Sequence, residues 1–250
     1  MEAADIKGLL GLLLVDGSLN QYRTPRGGYV QLTLTGGVTE AGFLAEKVDE
    51  FRQFIPTKAE IVPYRTQARY SKRRDKGSGV IDDQAKHTTV LRFRVSTNKL
   101  RPVYNLLYPD GTREITQSVL DLLGAPAAAW TWAEGGRNFD DGSAQLARCG
   151  TTEAEAERVS QWLELLTGAK SMGPLLLSDG YGTAKGGCFV KPRLSFDAEN
   201  AEKLRSALHP YAPITRKHVF DDCSVHEDSA GLVSEQRTNE PAREQAAALA

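Results

Sequence analysis

The sequence predicts a protein of mixed strands and helices, built from two related halves that each have the order strand, helix, strand, helix. Three observations support this fold class. They are a gapless internal repeat, a pair of matched amphipathic helices, and a pair of short apolar helices that each end in an acid and a glycine. Self-similarity at a fixed offset indicates a duplicated structural unit.

The repeat consists of RFRVSTNKLRPVYNLLYP, residues 92–109, and RLSFDAENAEKLRSALHP, residues 193–210, at a constant offset of about 101 residues. Each copy predicts an alternating strand and then a helix that stops at a proline. The alternation places polar side chains on one face of each strand. They are Arg92 and Arg94 in the first copy, and Lys191, Arg193 and Ser195 in the second.

Upstream of each copy lies a segment with apolar residues at helical spacing, AEKVDEFRQF (45–54) and AERVSQWLEL (156–165). The second segment is preceded by a capping box, Thr152 with Glu155, and is followed by Gly168. In Gln31-Leu32-Thr33-Leu34-Thr35, polar and apolar residues alternate, which predicts another strand with one polar face.

The segments LLGLLLVDGSL (9–19) and AAAWTWAEGGR (127–137) are almost wholly apolar, which predicts two buried helices. Gly11 and the alanines of the second segment allow the two helices to approach closely. The helices close with Asp16-Gly17 and Glu134-Gly135. An acid at the negative end of a helix dipole is unfavourable, so finding one twice suggests a compensating cation. Two packed helices would bring Asp16 and Glu134 together around one or more hard divalent ions, with Mg²⁺ the default.

Composition restricts the class of protein. The chain has 250 residues, 40% of them hydrophobic and 25% charged, which is sufficient for a folded core. The apolar stretch from position 9 to 15 is shorter than the roughly 20 residues of a membrane helix, and no basic signal segment precedes it, so we expect a cytoplasmic or organellar-matrix protein. Cys149, Cys188 and Cys223 lie far apart and predict neither a zinc site nor a disulfide framework.

Charge is uneven along the chain although the formal net charge is -1. From Asp221 onward about seven acids stand against two bases, which predicts a disordered acidic tail. The segment YRTQARYSKRRDK, residues 64–76, is strongly basic and is either a solvated loop or a loop that contacts phosphates.

The two apolar segments and their surroundings resemble the LAGLIDADG homing endonucleases in their single-chain form with two motifs. Residues 9–17 fit the nine-letter motif, and residues 127–135 keep its acid and final glycine. The stretch STNKLRPVYNLLYPDGTREIT (96–116), a predicted short helix at 117–123 and the closing SALHPYAPITRKHVF are also similar to this family. The resemblance covers roughly residues 8–220.

This resemblance implies an α+β fold of two pseudo-symmetric αββαββα halves, residues 1–115 and 116–220, packed through their motif helices, with residues 221–250 as the tail. The antiparallel sheets would form a saddle on double-stranded DNA. The function implied is that of a monomeric, site-specific endonuclease that makes a double-strand break by Mg²⁺-dependent phosphodiester hydrolysis.

The resemblance assigns Asp16 and Glu134 as catalytic metal ligands and leaves open the part of position 15, Val15. It places a basic residue near each scissile phosphate, and the matching positions are Arg113 and Lys217, which would polarise water or stabilise charge. An arginine stays protonated, so Arg113 cannot act as a base.

Three other functions are weighed against the nuclease. An RNA maturase that binds intron RNA on the same scaffold would tolerate loss of the acids, yet both acids are present. A noncatalytic DNA-binding regulator should carry an extra module such as a helix-turn-helix, and none is visible in the sequence. An intein would need a terminal Cys or Ser and Asn arrangement that the sequence lacks.

Overall fold

The computed structural model describes residues 2–25, 27–66, 73–74, 81–82, 88–182 and 188–221. The elements of the first half are, in chain order, α1 (Ala3–Leu13), β1 (Ser18–Thr24), β2 (Gly27–Gly37), α2 (Ala41–Phe54), β3 (Ile61–Arg65), β4 (Arg73–Arg74), β5 (Ile81–Asp82), β6 (Thr89–Thr97) and α3 (Arg101–Leu107). Four of these strands form an antiparallel sheet of order β1-β2-β6-β3, and β4 pairs with β5.

The second half repeats this plan. Its elements are α4 (Gln117–Leu120), α5 (Ala125–Gly135), β7 (Gly136–Asn138), β8 (Ala144–Leu146), α6 (Glu153–Thr167), β9 (Pro174–Gly182), β10 (Cys188–Phe196) and α7 (Ala198–Leu208). Its antiparallel sheet has the order β7-β8-β10-β9, which has the same connections as the first sheet. The predicted α+β fold of two αββαββα halves is confirmed.

Both copies of the internal repeat form the predicted strand and helix. In the first copy β6 leads through one 3-10 turn into α3, and in the second β10 leads into α7. The matched amphipathic segments lie within α2 and α6. The capping box of α6 forms between Thr152 and Glu155, and the helix ends at Gly168 with φ +72°.

Each sheet has one apolar and one polar face, because side chains alternate along a strand. In the first sheet Leu32, Leu34 and Phe93 are fully buried against the helices. On the opposite face Thr33 pairs with Arg94 across the strands. In the second sheet Arg193 donates to Gln145 Oε1 at 3.2 Å and Lys191 is exposed, so the predicted polar faces are confirmed.

The two halves meet where α1 packs against α5. Their approach is so close that a Cβ built on Gly11 would lie 2.8 Å from Ala127 Cβ. No larger residue fits at position 11 without moving the helices apart, as the small residues predicted.

Two glutamates tie the halves together reciprocally. Glu155, on α6 of the second half, accepts hydrogen bonds from the Ile115 N–H at 2.8 Å and from the Thr151 N–H at 2.8 Å. Glu46, on α2 of the first half, accepts from the Ile214 N–H at 2.6 Å and the Thr215 N–H at 3.0 Å, at the start of the closing 3-10 helix (Ile214–Val219). The matched helices α2 and α6 thus each hold the segment that ends the other half.

Some predictions differ from the structure or lie beyond it. The short helix expected over 117–123 ends at Leu120, since Asp121 and Leu122 form a turn. The tail from 222 onward, Cys223, and most of the basic loop after position 66 lie outside the described residues. Cys149 is a buried free thiol whose pKa burial raises to about 11. No helix of the described ranges has the length and hydropathy that crossing a bilayer requires.

Candidate active site at the junction of the two halves

The two acids of the motifs lie side by side where α1 and α5 end. Asp16 lies three residues beyond α1, whereas Glu134 lies in the last turn of α5. Gly17 follows Asp16 with φ +72°, a left-handed conformation that turns the chain into β1. Gly135 lets the segment that follows β8 approach closely, since a Cβ there would lie 2.8 Å from Arg148 Cβ.

Lys47 of α2 extends its ammonium group between the two acids. Its Nζ lies 2.8 Å from Asp16 Oδ2 and also contacts Glu134 Oε1. The lysine side chain is only 2% exposed and its Nζ lies 4.9 Å from the centre of the Phe43 ring. A buried charge needs such partners, because an unpaired one costs several kcal/mol.

Arg148 covers the same two acids from the solvent side. Its Nη1 lies 3.0 Å from Asp16 Oδ1 and 3.0 Å from Glu134 Oε2, and its side chain is 47% exposed. The four carboxylate oxygens therefore all face a cation of the chain itself. Arg148 is the accessible member of this group, and Lys47 is the enclosed one.

The ion pairs change the acidity of Asp16. Burial by itself raises the pKa of this carboxyl, but the charge and hydrogen bond of Lys47, the Gly17 N–H and the charge of Arg148 outweigh it. The net effect is a pKa below the usual value, so Asp16 is ionised at neutral pH.

Burial lowers the pKa of Lys47, and the positive charges of Arg148 and Arg216 lower it further. The charge and the hydrogen bond of Asp16 act in the opposite direction. Asp16 and Lys47 thus form an ion pair in which each charge stabilises the other.

Arg113 lies beneath the acids and caps the end of α1. Its guanidinium donates to the carbonyl oxygens of Leu13 and Gly17, and to that of Asp16 at 3.1 Å. Of these, the Leu13 carbonyl belongs to the negative end of the helix dipole, where the positive charge of Arg113 is favourable. Its proposed role at a scissile phosphate stays a prediction.

The closing 3-10 helix brings Arg216, rather than Lys217, beside the acids. Arg216 contacts Glu40, and its Cζ lies 4.5 Å from the centre of the Phe43 ring. It lines a small cavity of about 60 Å³ together with Asp16, Lys47, Glu134 and Arg148. Lys217 points to solvent, and its role stays a prediction.

A second cleft lies beside the acid site and shares Arg148 with it. It has a volume of about 300 Å³, and its lining includes Val15, Arg113, Arg148 and Lys191. Val15 is half-buried, and its side chain offers no ligand atom. The cleft is basic and open to solvent on the flank of the junction.

The acid pair suits a cation, because two carboxylates converge on one place. That place is taken by Lys47, and the remaining oxygens face Arg148. In the described part of the chain no cluster of three or more His, Cys, Asp or Glu side chains could hold a metal ion. As arranged, these residues do not fit the Mg²⁺ ion that the sequence predicts.

Sequence reasoning missed Lys47, Arg148 and Arg216. Lys47 had a signal, because it falls on the apolar face of α2 between Leu44 and Val48, where a lysine is out of pattern. Arg148 lies in an irregular segment after β8, and Arg216 immediately precedes the predicted Lys217. Neither has a local pattern that marks it.

Comparison with solved structures finds this fold in the homing endonuclease I-WcaI bound to its DNA recognition sequence, with a TM-score of 0.62 and 11% identity over 88% of this chain and 87% of that chain. The homing endonuclease I-DmoI in complex with DNA and Ca is a weaker match, with a TM-score of 0.47 and 15% identity over 83% of this chain and 91% of that chain. No protein-family model and no curated protein matches the chain. The chain therefore has the fold that its two motifs predict, that of the LAGLIDADG homing endonucleases.

Proposed function

We propose that the chain is a site-specific endonuclease that binds double-stranded DNA and makes a double-strand break at the junction of its two halves. The observation that carries this proposal is the convergence of Asp16 and Glu134, one from each half, at the ends of the packed motif helices. A duplex has two strands related by a two-fold axis, and a site with one acid from each pseudo-symmetric half suits that symmetry.

The polar faces of the two sheets are the proposed DNA surface. Thr33 and Arg94 lie on this face in the first sheet, and Gln145 and Arg193 lie on it in the second. Arginine, glutamine and threonine side chains hydrogen-bond base edges in the major groove and also bind phosphates. I-WcaI, which has this fold, was solved bound to its DNA recognition sequence, and this supports the proposal.

Arg148 is the residue that we expect to meet the phosphate first. It is half-exposed and pairs with both acids, so a DNA phosphate can take its guanidinium by a charge-assisted hydrogen bond. This exchange frees Asp16 Oδ1 and Glu134 Oε2. A freed carboxylate oxygen can accept the proton of a water whose oxygen attacks the phosphorus, while Arg148 stabilises charge on the phosphoryl oxygens. The P–O bond to one sugar oxygen breaks in the same step, and the leaving sugar oxygen takes its proton from solvent.

The function is tested by selecting a target from a library of randomised duplexes and cloning it into a supercoiled plasmid. Wild type should linearise this plasmid, whereas Asp16→Asn and Glu134→Gln should bind it but leave it uncut or nicked. Glu157→Gln is the matched control, because this exposed acid lies on α6 away from the junction. Each reaction is run with Mg²⁺ and with a chelator, which measures the predicted Mg²⁺ requirement. Full cutting by either acid variant would contradict the shared site.

A second candidate function is nucleic-acid binding without cleavage, including the maturase that acts on intron RNA. This candidate is favoured by the ion pairs that Lys47 and Arg148 make with the two acids, which leave the group with no net charge. Acids that are paired in this way have a structural role that does not depend on hydrolysis. This candidate predicts specific binding by wild type in the same selection, with no cutting in any metal and with tighter binding to intron RNA than to duplex DNA.

The DNA surface gives a further prediction. Arg94→Ala removes an exposed cation from the polar face of the first sheet, so it should weaken DNA binding. If Arg94 binds a phosphate, the slope of log affinity against log salt should fall by about 1. Filter binding over a salt series measures this slope. Lys203→Ala on α7 is the control, and an unchanged slope and affinity in Arg94→Ala would remove this face from the interface.

A further inference from the structure

Lys47 and Arg148 together neutralise the acid pair. Lys47 Nζ lies 2.8 Å from Asp16 and contacts Glu134, while Arg148 Nη1 lies 3.0 Å from each acid. Two negative charges thus meet two positive charges. The affinity of an oxygen site for a divalent ion rises with the number of unpaired anionic ligands, so a neutral group of four attracts such an ion weakly.

The two cations differ in how easily they can be exchanged. Arg148 is 47% exposed and can move into solvent or onto a phosphate. The Lys47 side chain is 2% exposed, extends from the middle of α2, and lies over Phe43, which packs on Trp130 of the other half. Its ammonium group can leave the acids only by disturbing packed side chains. Lys47 is therefore the fixed cation of the junction.

The arrangement is particular to one half. In the internal repeat, Lys47 on α2 corresponds to Arg158 on α6, but Arg158 donates to the Ile115 carbonyl at 2.9 Å and to Glu114 at 3.2 Å. The place between the acids lies at the junction of the halves and takes one cation. The first half supplies it.

We infer that the Lys47 ammonium occupies the place between Asp16 and Glu134 that the sequence assigns to a divalent ion. The DNA-free chain consequently has little affinity for Mg²⁺ or Mn²⁺ at this pair, and removal of the ammonium creates a divalent-ion site there. This inference concerns the DNA-free chain and does not require that it cuts DNA.

The test is a titration of the DNA-free full chain with Mn²⁺, in which free Mn²⁺ is measured by electron paramagnetic resonance. The variants are Lys47→Met, which keeps the length of the side chain and removes its charge, and Lys47→Met combined with Glu134→Gln. Lys47→Met should gain one saturable site that binds Mn²⁺ at least about tenfold more tightly than wild type, and the double variant should lose it. Lys203→Met is the control, because this lysine pairs with Glu199 at 2.6 Å on an exposed helix face and should behave as wild type.

Two results would overturn the inference. One is a folded Lys47→Met chain that gains no Mn²⁺ site. The other is a wild-type chain that already binds Mn²⁺ at a site that Asp16→Asn abolishes. If Lys47→Met does not fold without metal, recovery of its thermal transition in Mn²⁺ supports the inference. If it does not recover, the Mn²⁺ titrations of wild type and Asp16→Asn decide. Since these titrations contain no DNA, their failure is distinct from failure of the cleavage assay.

Discussion

Lys47 of α2 and Arg158 of α6 occupy matched positions of the two halves but have different surroundings. Lys47 is enclosed between two acids, whereas Arg158 is partly exposed and holds the segment that ends the first half. The backbones of the halves have the same order of elements and the same sheet connections, so duplication accounts for the fold. The junction itself has room for one buried cation, and the two halves have consequently diverged at this position.

Removing each of these two cations in turn should give the largest difference in stability between the halves. Lys47→Ala leaves two buried carboxylates without their central partner, and loss of one member of a buried pair costs about 3–5 kcal/mol. Arg158→Ala removes a partly exposed ion pair and one backbone hydrogen bond, so its cost should be about 1 kcal/mol. Urea unfolding of both variants measures the difference. Equal losses would show that the two positions are equivalent after all.

The two glutamate clamps should differ by less, and here the larger loss of stability falls in the second half. Glu155 is 3% exposed and accepts several backbone and hydroxyl hydrogen bonds, so Glu155→Gln should lower the free energy of unfolding by about 2 kcal/mol. Glu46 is more exposed and binds the closing 3-10 helix, so Glu46→Gln should cost about 1 kcal/mol. Chemical denaturation at neutral pH would compare them, and a larger loss for Glu46→Gln would be contrary to the structure.

The clamp at Glu155 also predicts a pH dependence. Burial raises the pKa of this carboxyl, but the N–H groups of Ile115 and Thr151 and the Thr151 hydroxyl lower it more, so the folded-state value is below the ordinary 4.5. The unfolded chain therefore takes up the proton first as the pH falls. The stabilisation is complete above about pH 4.5 and is lost as the pH falls through the folded-state pKa. The stability gap between wild type and Glu155→Gln should narrow over that range, and a constant gap would contradict the assignment.

Overpacking the contact between α1 and α5 should lower the free energy of unfolding by about 1–3 kcal/mol. Gly11→Val places methyl groups where even a Cβ would lie 2.8 Å from Ala127 Cβ, so α1 and α5 must move apart. Gly36→Val is the control, since its Cβ would meet Leu44 at 3.5 Å, an ordinary contact. Thermal unfolding compares the two variants. A Gly11→Val chain as stable as the control would mean that the helices are not in close contact.

Much of the fold could be predicted because the relevant signals are local or repeated. Alternation along 31–35 and 92–95 gave the strand faces, Thr152 with Glu155 gave a helix start, and Gly11 gave the close helix contact. The two acids could be placed together because both stand at the close of apolar segments that pack on each other, although α1 itself ends three residues before Asp16. These features depend on the spacing of apolar residues and on the size of side chains, and both can be read from a single sequence.

The surroundings of the acids could not be predicted so well, because they arise from contacts between segments distant in sequence. Arg148 is separated from Asp16 by 132 residues, and Arg113 caps a helix that ends 100 residues before it. The acids at the ends of the two motif segments did indicate that a cation was needed. A metal ion and a basic side chain can both meet that need. Lys47 alone carried a usable signal, as a lysine on an apolar helix face.

The central claim is that one acid from each half belongs to a single site, and a double-mutant cycle on stability tests it most directly. Asp16→Asn or Glu134→Gln alone leaves Lys47 with one carboxylate, whereas the double variant leaves a buried ammonium with neither. The loss of unfolding free energy in the double variant should therefore exceed the sum of the two single losses by about 1–3 kcal/mol. Additive losses would show that the two acids do not share Lys47, and the shared site would be wrong.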